Sequence, residues 1–457
     1  MKNIQSNHLI QAITQYSFMK LSRYNFSFNE NNGTILYNIA TDGILQLNTQ
    51  VAELVSKYSA DIDSLQDIHP ELYTALKKYG FIVGNNIDEI QSLTDNWNEQ
   101  LTDKKKFRFT INPTLNCNLC CWYCYENHNG HKVMSNDTLE RTKKCLQNTI
   151  KDNNLKSFYL DFFGGEPLLQ FDRIVYPLIV EAYNMCHKYK KEFHLSFTTN
   201  GTLLTANKIE KIASLLKTSD NICKTIPSFQ ITLDGNEEFH NKVRKSLSGE
   251  GSYQTIMSNI RIALNYGYDV FVRFNTTNEN IDSYLDVIDD FADIPKEQAA
   301  HLQFDLQKVW QDNASKLTRE KLAKLSEELA TEGYHVAVQS VCNRIFCYAD
   351  NDNSIVVNYD GNVYKCTARE FNPELAEGHI DSDGNIIYNS RHTRRKYLRF
   401  GNKVCRQCKI YPICHGGCTQ DKIESDGQEL CIRHYSEEKR EEIVKERLRY
   451  LISNRKK

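Results

Sequence analysis

The sequence predicts an α/β protein built around a partial (β/α)6 barrel. Two observations support this prediction. Short apolar runs alternate with amphipathic stretches from residue 106 to about residue 310, and the cysteines cluster in one loop inside this region and again beyond residue 340. Repeated strand–helix units form a parallel sheet with right-handed crossovers, which curves into a partial barrel. A small module is expected before the barrel and a cysteine-rich domain after it.

Six barrel strands are predicted, at residues 107–112, 157–163, 193–199, 228–233, 269–275 and 302–306. Helical periodicity lies between them, for example at residues 172–183 and 253–264. Ligands of such folds bind beyond the carboxyl ends of the strands. Motifs at those ends are therefore the candidates for a functional site.

The composition argues against several classes of protein. Lys and Arg total 56 against 58 Asp and Glu, so the net charge of -2 favours neither nucleic acid nor a membrane as partner. No apolar run reaches the ~20 residues that a membrane helix needs, and the first residues lack the apolar segment of a signal peptide. We expect a cytoplasmic protein, in which most of the 15 cysteines are metal ligands rather than disulfide partners.

A cysteine loop follows the first predicted barrel strand. Cys117, Cys121 and Cys124 have the spacing C-x3-C-x2-C. Three thiolates can hold a 4Fe-4S cluster and leave its fourth iron open to another ligand. Structural zinc is the alternative, but it normally takes four ligands. Cys120, the available fourth, directly abuts Cys121, and adjacent residues seldom chelate one tetrahedral ion.

This loop, with Tyr123 as the aromatic residue before the third cysteine, resembles the signature of radical S-adenosylmethionine (SAM) enzymes. The resemblance implies that the open iron chelates the amine and carboxylate of SAM. It also implies that an electron from the cluster cleaves the sulfonium to give a 5'-deoxyadenosyl radical, and that Tyr123 contacts the adenine.

Motifs at the ends of later strands extend the resemblance. Gly164-Gly-Glu-Pro167 resembles the GGE motif that binds the SAM amino group, and His240-x3-Arg244 followed by a Gly-x-Gly-Ser run resembles the peptide-modifying branch. A guanidinium suits a carboxylate through a bidentate pair, and Arg273 is a second basic candidate whose alternative is a surface ion pair. The cofactor-binding residues implied are Tyr123, Gly164, Gly165, Glu166, Pro167, Asn200, Thr232 and Arg244.

A second cysteine pattern lies beyond the barrel: Cys347-x13-Gly361-x4-Cys366, then Cys405-x2-Cys408-x5-Cys414-x3-Cys418, then Cys431. It resembles the seven-cysteine SPASM domain, whose two auxiliary 4Fe-4S clusters need eight ligands; Cys342 supplies the eighth. The resemblance assigns an inner cluster to Cys342, Cys347, Cys366 and Cys418. It assigns an outer cluster to Cys405, Cys408, Cys414 and Cys431.

Alternatives remain for these cysteines. Cys405 and Cys408 alone would suit a zinc ribbon, and without Cys342 the inner cluster would have an open iron. Cys145 and Cys186 fall on helical patterns and are expected to be small core residues.

The predicted domains are an N-terminal module at 1–100, the barrel at 105–310, a helical connector at 311–340, the SPASM domain at 341–435 and a C-terminal helix at 436–457. The first 100 residues predict a hairpin around Asn31-Asn-Gly33, then helices and a short strand. This order resembles the winged-helix modules that recognise leader peptides, which can add a peptide as a strand to a sheet edge. A cap on the barrel is the alternative.

The resemblance narrows the expected function to radical modification of a ribosomally made peptide, with a thioether or carbon–carbon crosslink as product. The expected cofactors are three 4Fe-4S clusters and SAM, and the partners are a precursor peptide with a leader segment and an electron donor such as flavodoxin or ferredoxin. Sulfatase-maturing enzymes, which make formylglycine, are the nearest alternative. They carry an Asp after the third inner-cluster cysteine, where this chain has Thr367. A zinc-stabilised peptide-binding protein without catalysis is an alternative of another class.

Overall fold

The computed structural model describes residues 18–30, 33–217, 225–246, 248–309, 311–312, 316–338 and 346–455. The chain divides into two compact units. We name the first the terminal unit; it comprises Met1–Leu101, Ser340–Cys347 and Arg394–Lys457. We name the second the barrel unit; it comprises Thr102–Gln339 and Tyr348–Thr393.

The N-terminal part of the terminal unit contains β1 (Met19–Leu21), β2 (Asn25–Glu30), β3 (Gly33–Asn38), β4 (Gly43–Leu47), α1 (Thr49–Lys57), α2 (Leu65–Ile68), α3 (Pro70–Lys78), β5 (Ile82–Gly84) and α4 (Glu89–Leu101). The predicted hairpin is confirmed, because β2 and β3 pair antiparallel from Asn25↔Asn38 to Glu30↔Gly33. Its turn residues Asn31 and Asn32 lie outside the described residues. The sequence did not predict β4, which extends the hairpin to three strands.

The barrel unit alternates strands and helices as predicted. Its elements in order are β6 (Lys106–Ile111), α5 (Asn136–Ile150), β7 (Ser157–Phe162), α6 (Tyr176–Tyr189), β8 (Glu192–Thr199), α7 (Ala206–Leu216), β9 (Ser228–Leu233), α8 (Glu237–Val243), α9 (Tyr253–Asn265), β10 (Asp269–Thr276), α10 (Tyr284–Asp289), α11 (Lys296–Ala299), β11 (Leu302–Lys308), α12 (Lys316–Thr331) and β12 (His335–Val338). Neighbouring strands from β6 to β12 run parallel. The α/β class and all six predicted strands are confirmed.

Two features of this sheet were not predicted. The connector at 311–340 contains the expected helix α12, but it ends in a seventh parallel strand, β12. At the other edge, β13 (Ser354–Val357) runs parallel to β6, and β14 (Asn362–Tyr364), β15 (Gly378–Ile380) and β16 (Ile386–Tyr388) continue antiparallel. Residues within the predicted SPASM segment therefore enlarge the barrel sheet.

The two faces of the parallel strands have different environments. One face packs against the helices in a large apolar core that includes Phe109, Phe158, Leu195, Ile231 and Val272. Residues on the opposite face of β8 and β10 alternate with these and are only partly buried. Because successive side chains of a strand point to opposite faces, the second face lines the barrel interior.

The C-terminal part of the terminal unit contains helices: α13 (Ser390–Gly401), which begins in the barrel unit, α14 (Lys403–Gln407), α15 (Tyr411–Cys414), α16 (Thr419–Glu424) and α17 (Glu437–Arg455). Buried Ile443 and Val444 of α17 share an apolar core with Tyr24 and Tyr37 of the hairpin region and with Ile413 of the cysteine-rich segment. The two ends of the chain therefore fold as one body. Within the described residues, no helix is both long and apolar enough to cross a membrane.

Candidate functional site

The first cysteine loop leaves β6 and is fixed by backbone hydrogen bonds. Leu115 N donates to Lys132 O (2.9 Å), and Cys120 N donates to Lys245 O (3.0 Å). Inside the loop, Cys124 N donates to Cys121 O (3.1 Å). The structure thus places Cys117, Cys121 and Cys124 on one short loop at the carboxyl end of the first barrel strand. Cys117 and Cys121 are partly buried, and Cys124 is exposed.

The glycines after β7 permit a close approach to this loop. An added Cβ on Gly165 would lie 2.3 Å from Asn116 O and 2.5 Å from Leu115 O, and one on Gly164 would lie 2.5 Å from Thr114 O. Cβ atoms do not occur at such distances from backbone oxygens. The two glycines therefore allow the end of β7 to pack directly against the residues that precede Cys117.

Glu166 is fully buried and joins two strand ends. Its carboxylate accepts hydrogen bonds from Asn200 N (2.8 Å), Thr199 Oγ1 (2.9 Å) and Leu168 N (2.9 Å). Burial raises the pKa of the carboxyl group, and these donors oppose the rise. Pro167 begins the short 3-10 turn that follows. Contact of Glu166 with the SAM amine stays a prediction.

Asn200, at the end of β8, reaches the cysteine loop. Its Nδ2 donates to Asn118 Oδ1 (2.8 Å) and lies 3.7 Å from Cys117 Sγ. Asn118 in turn donates to Thr202 Oγ1 (2.9 Å). The amide side chains thus fix the orientation of the residues around Cys117.

Tyr123, Asp234 and Arg244 form a buried polar cluster. The Tyr123 hydroxyl donates to Asp234 Oδ2 (2.8 Å) and accepts from Arg244 Nη2 (2.7 Å) and Asn275 Nδ2 (3.1 Å). Arg244 Nε also pairs with the Asp234 carboxylate. The carboxylate that Arg244 meets here therefore belongs to the protein. Thr232 is buried on β9, where it is in register with Arg273 of β10.

His240 explains the His-x3-Arg spacing. Its Nδ1 accepts from Asp234 N (3.4 Å), and its Nε2 lies 3.0 Å from the Ser252 hydroxyl, which donates to Arg244 O (2.8 Å). Burial, followed by the positive charge of Arg244, lowers the pKa of His240 well below 6.5. The neutral imidazole therefore supports the backbone of both members of the Asp234–Arg244 pair.

The interior of the partial barrel contains a cavity of about 620 Å³, a volume typical of small-molecule sites. Polar side chains from the inner faces of five strands line it, including Arg108, Asp161, His194, Gln230 and Arg273. Asp161 accepts from Arg108 Nη1 (2.6 Å), Thr110 and Ser196. This barrel cavity is lined by groups that can bind a polar ligand.

Thr367 and Tyr348 also line the barrel cavity. The Tyr348 hydroxyl lies 2.6 Å from Thr367 Oγ1 and accepts from Thr367 N (2.8 Å). The Tyr125 hydroxyl donates to Thr367 O (2.5 Å). The residue after Cys366 is thus held between two tyrosines.

The predicted outer set of cysteines comes together in the terminal unit. One small cavity is lined by Cys405, Cys408, Cys414 and Cys431. No three described His, Cys, Asp or Glu side chains are arranged to hold one metal ion, but the ligands of a cluster bind separate irons and stand further apart. Arg440 lines the same cavity, and its buried Nε has no hydrogen-bond partner among the described residues. Four thiols and an orphaned N–H donor fit an anionic iron–sulfur cluster.

The predicted inner set is divided between the units. Cys347 and Cys418 belong to the terminal unit and Cys366 to the barrel unit, while Cys342 lies outside the described residues. Ala368 N lies 3.4 Å from Cys366 Sγ.

Cys145 and Cys186 are buried in the barrel core, as expected. Their role as core residues is confirmed.

The sequence singled out Arg273, which lines the barrel cavity, but it did not predict the roles of Asp234, Asn275 and the other barrel-cavity residues. The barrel-cavity residues leave a recognisable signal, because polar Arg108, Asp161 and Ser196 alternate with apolar residues in otherwise buried strands. Asp234 has no such signal in the sequence, since Asp-Gly is an ordinary turn pair.

Comparisons with known proteins agree with this geometry. Residues 111–291 match the family model "Radical SAM superfamily". The cysteine-type anaerobic sulfatase-maturating enzyme of Clostridium novyi (strain NT) is 26% identical over 70% of this chain and 89% of its own length. The radical SAM cyclopropyl synthase TigE of Paramaledivibacter caminithermalis is 24% identical over 44% of this chain and 45% of its own length.

A solved structure has the same fold over most of its length. The structure of "Native anSMEcpe with bound AdoMet and Cp18Cys peptide" aligns with a TM-score of 0.56 and 19% identity, covering 76% of this chain and 99% of that chain. Enzymes of the matched superfamily use a 4Fe-4S cluster together with SAM. Residues 111–291 thus match a radical SAM domain, and this segment contains the cysteine loop at the carboxyl end of β6.

Proposed function

We propose that this chain is a radical SAM/SPASM enzyme that oxidatively modifies a ribosomally made peptide by forming a thioether or carbon–carbon crosslink. The observation that carries the proposal is the position of the cysteine loop. The loop lies at the carboxyl end of the parallel strands, and the same strands enclose the polar barrel cavity. A radical generated at that end would be shielded by the barrel from water and from side reactions.

The residues of the barrel unit have distinct roles in this proposal. Cys117, Cys121 and Cys124 hold the cluster, which together with SAM would supply the 5'-deoxyadenosyl radical. The glycines at 164–165 lie beside the cysteine loop where the SAM methionine would bind, and the buried Glu166 carboxylate holds this turn to the end of β8. The Asp234–Arg244 pair holds Tyr123 and thereby the end of the loop.

A substrate segment would enter the barrel cavity. Arg273 donates its Nε to Asn275 Oδ1 (2.9 Å), and His194 stacks on Tyr159 with ring centroids 4.2 Å apart. These contacts hold the polar side chains in place before a ligand arrives, and preorganisation of this kind reduces the entropic cost of binding.

The auxiliary cysteines would hold two further 4Fe-4S clusters. Oxidative crosslinking leaves a substrate radical that must lose one electron and one proton, and the auxiliary clusters offer a path for that electron. An external donor such as flavodoxin or ferredoxin would supply the electron that starts each cycle. The set at Cys405, Cys408, Cys414 and Cys431 supports this proposal because all four thiols line one cavity.

The N-terminal strands would recognise the leader segment of the precursor. β2, β3 and β4 form a three-stranded antiparallel sheet with two edges. An extended peptide can add to such an edge through main-chain hydrogen bonds. The leader would thus be held on the terminal unit while another segment of the peptide is modified.

The product distinguishes this function from its main competitor. The reconstituted enzyme is incubated anaerobically with SAM, a reductant and any short Cys-, Tyr- or Lys-containing peptide that a neighbouring reading frame encodes. Crosslinking predicts a product that has lost two hydrogens and retained its sulfur. An unchanged peptide, with SAM cleaved only unproductively, would contradict the proposal.

Sulfatase maturation is the second candidate, because the relative from Clostridium novyi covers 70% of this chain. Conversion of Cys to formylglycine removes the sulfur, so mass spectrometry of a sulfatase-derived Cys peptide decides between the two. Thr367 disfavours this candidate, since neither its hydroxyl nor its Tyr348 partner is a carboxylate base.

A further inference from the structure

Arg440 occupies a distinctive place in the four-cysteine cavity of the terminal unit. It lies in the first turn of α17, and its Nη1 pairs with Glu437 of the same turn. Its Nε is buried and has no hydrogen-bond partner among the described residues. A buried N–H without an acceptor is unfavourable, so a donor in this position calls for an acceptor that enters the cavity.

The other cations near this cavity differ from Arg440. Arg433 also lines the cavity, but its side chain is exposed to solvent. Lys422 is buried and close to Cys405, but its Nζ donates to Leu398 O (3.3 Å) and Arg399 O (3.0 Å). Of these three, Arg440 is the cation whose side chain already hydrogen-bonds a cavity thiol, that of Cys431, while its buried Nε has no acceptor among the described residues.

We propose that Arg440 is a positioning residue for the outer auxiliary cluster, that it donates its Nε–H to a cluster or cysteine sulfur, and that it raises the reduction potential of that cluster. The inference rests on the proposed function, which places the cluster on these cysteines. A 4Fe-4S cluster with four thiolate ligands is anionic and gains a further negative charge on reduction. A fixed cation and a hydrogen bond to sulfur therefore stabilise the reduced state more than the oxidised state.

α17 gives this contact a structural connection to the N-terminal strands. Arg447, two turns further along the helix, pairs with Asp42 (2.6 Å), and Ile443 packs against the hairpin core. The helix that carries Arg440 is therefore anchored independently of any cluster.

The test compares wild-type protein with Arg440→Gln, Arg440→Lys and the control Lys439→Gln, all reconstituted with iron and sulfide. Lys439 is the preceding residue, and its Nζ pairs with Glu442 (2.6 Å) outside the cavity. Iron content is measured first, and the midpoint potential of the outer cluster is then obtained by redox titration followed by electron paramagnetic resonance. Loss of the outer signal in a Cys405→Ala variant identifies which midpoint belongs to it.

We expect Arg440→Gln to keep the cluster and shift its midpoint to a more negative potential, Arg440→Lys to shift it less, and Lys439→Gln to leave it unchanged. An unchanged midpoint in Arg440→Gln at full iron content would overturn the inference alone. If Arg440→Gln loses the cluster, the midpoint potential of Arg440→Lys is compared with that of wild type instead. An unchanged value at full iron content would again overturn the inference. If the Cys405→Ala variant binds as much iron as the wild-type protein, the proposed auxiliary cluster itself is overturned.

Discussion

The Tyr123 hydroxyl closes a buried ion pair: it donates to Asp234 Oδ2 at 2.8 Å and accepts from Arg244 Nη2 at 2.7 Å. Asp234 and Arg244 are both buried. Tyr123 belongs to the first cysteine loop, whereas Asp234 and Arg244 lie on either side of α8. The conformation of the loop end therefore depends on a charge pair located more than a hundred residues later in the chain.

Replacing Asp234 with Asn should destabilise the protein. Arg244 would remain buried without its counter-charge, and removal of one partner from a buried pair costs about 3–5 kcal/mol. Urea unfolding of the metal-free protein measures this loss. Asp172→Asn is the matched control, because Asp172 pairs with Lys211 (2.7 Å) at the surface, where such pairs contribute about 0–1 kcal/mol. Equal effects of the two variants would contradict the assignment.

Gly165→Ala should prevent the cysteine loop from holding its cluster. The new Cβ would collide with the backbone oxygens of Leu115 and Asn116, so the residues before Cys117 must shift. We expect lower iron content and loss of SAM cleavage. Gly401→Ala is the control, since no atom lies within 4 Å of its added Cβ. Full iron binding by Gly165→Ala would show that the close approach is dispensable.

His240 should make stability depend on pH. Its folded pKa lies well below the unfolded value near 6.5, so below that pH the unfolded chain binds a proton that the folded protein does not. The contribution of His240 to the free energy of unfolding has its full value above pH 6.5 and falls by about 1 kcal/mol between pH 6.5 and 5.5. The difference in unfolding free energy between wild type and His240→Gln, followed over this range, measures the contribution. A difference that does not change with pH would contradict a neutral buried imidazole.

The hairpin should stabilise the cysteine-rich segment. Tyr37 is fully buried in the core that also contains Ile413 and Val444. Tyr37→Ala should lower the free energy of unfolding by about 3–5 kcal/mol, as aromatic-to-alanine changes in cores do. It should also lower the amount of iron bound by the four outer cysteines. Ile68→Ala is the control, because Ile68 is 49% exposed. If the Tyr37→Ala protein is destabilised but binds as much iron as wild type, the hairpin does not stabilise the cysteine-rich segment.

The strands of the barrel were predictable because each has a buried face whose residues recur with period two. β12 was missed because it has four residues and follows a charged helix. The grouping of the cysteines was implied by the resemblance to the SPASM pattern, and Cys405, Cys408, Cys414 and Cys431 do line one cavity. Local patterns are sufficient for such features.

Features that depend on distant contacts could not be predicted in this way. The shared core of Tyr37 and Val444 joins residues from opposite ends of the chain, and no local periodicity encodes that pairing. The same holds for Asp234, whose importance comes from Tyr123 and Arg244 rather than from its own turn. Arg440 lies in a highly charged helix, and its place beside the four-cysteine cavity depends on residues elsewhere in the chain.

If Cys117, Cys121 and Cys124 hold the cluster that cleaves SAM, the anaerobically reconstituted, reduced protein must form 5'-deoxyadenosine. Cys120→Ala is the matched control, since Cys120 is an exposed cysteine of the same loop outside the three-cysteine spacing. We predict that wild type and Cys120→Ala form 5'-deoxyadenosine and that Cys117→Ala does not. Undiminished formation of 5'-deoxyadenosine by Cys117→Ala would show that SAM cleavage does not depend on a cluster in this loop.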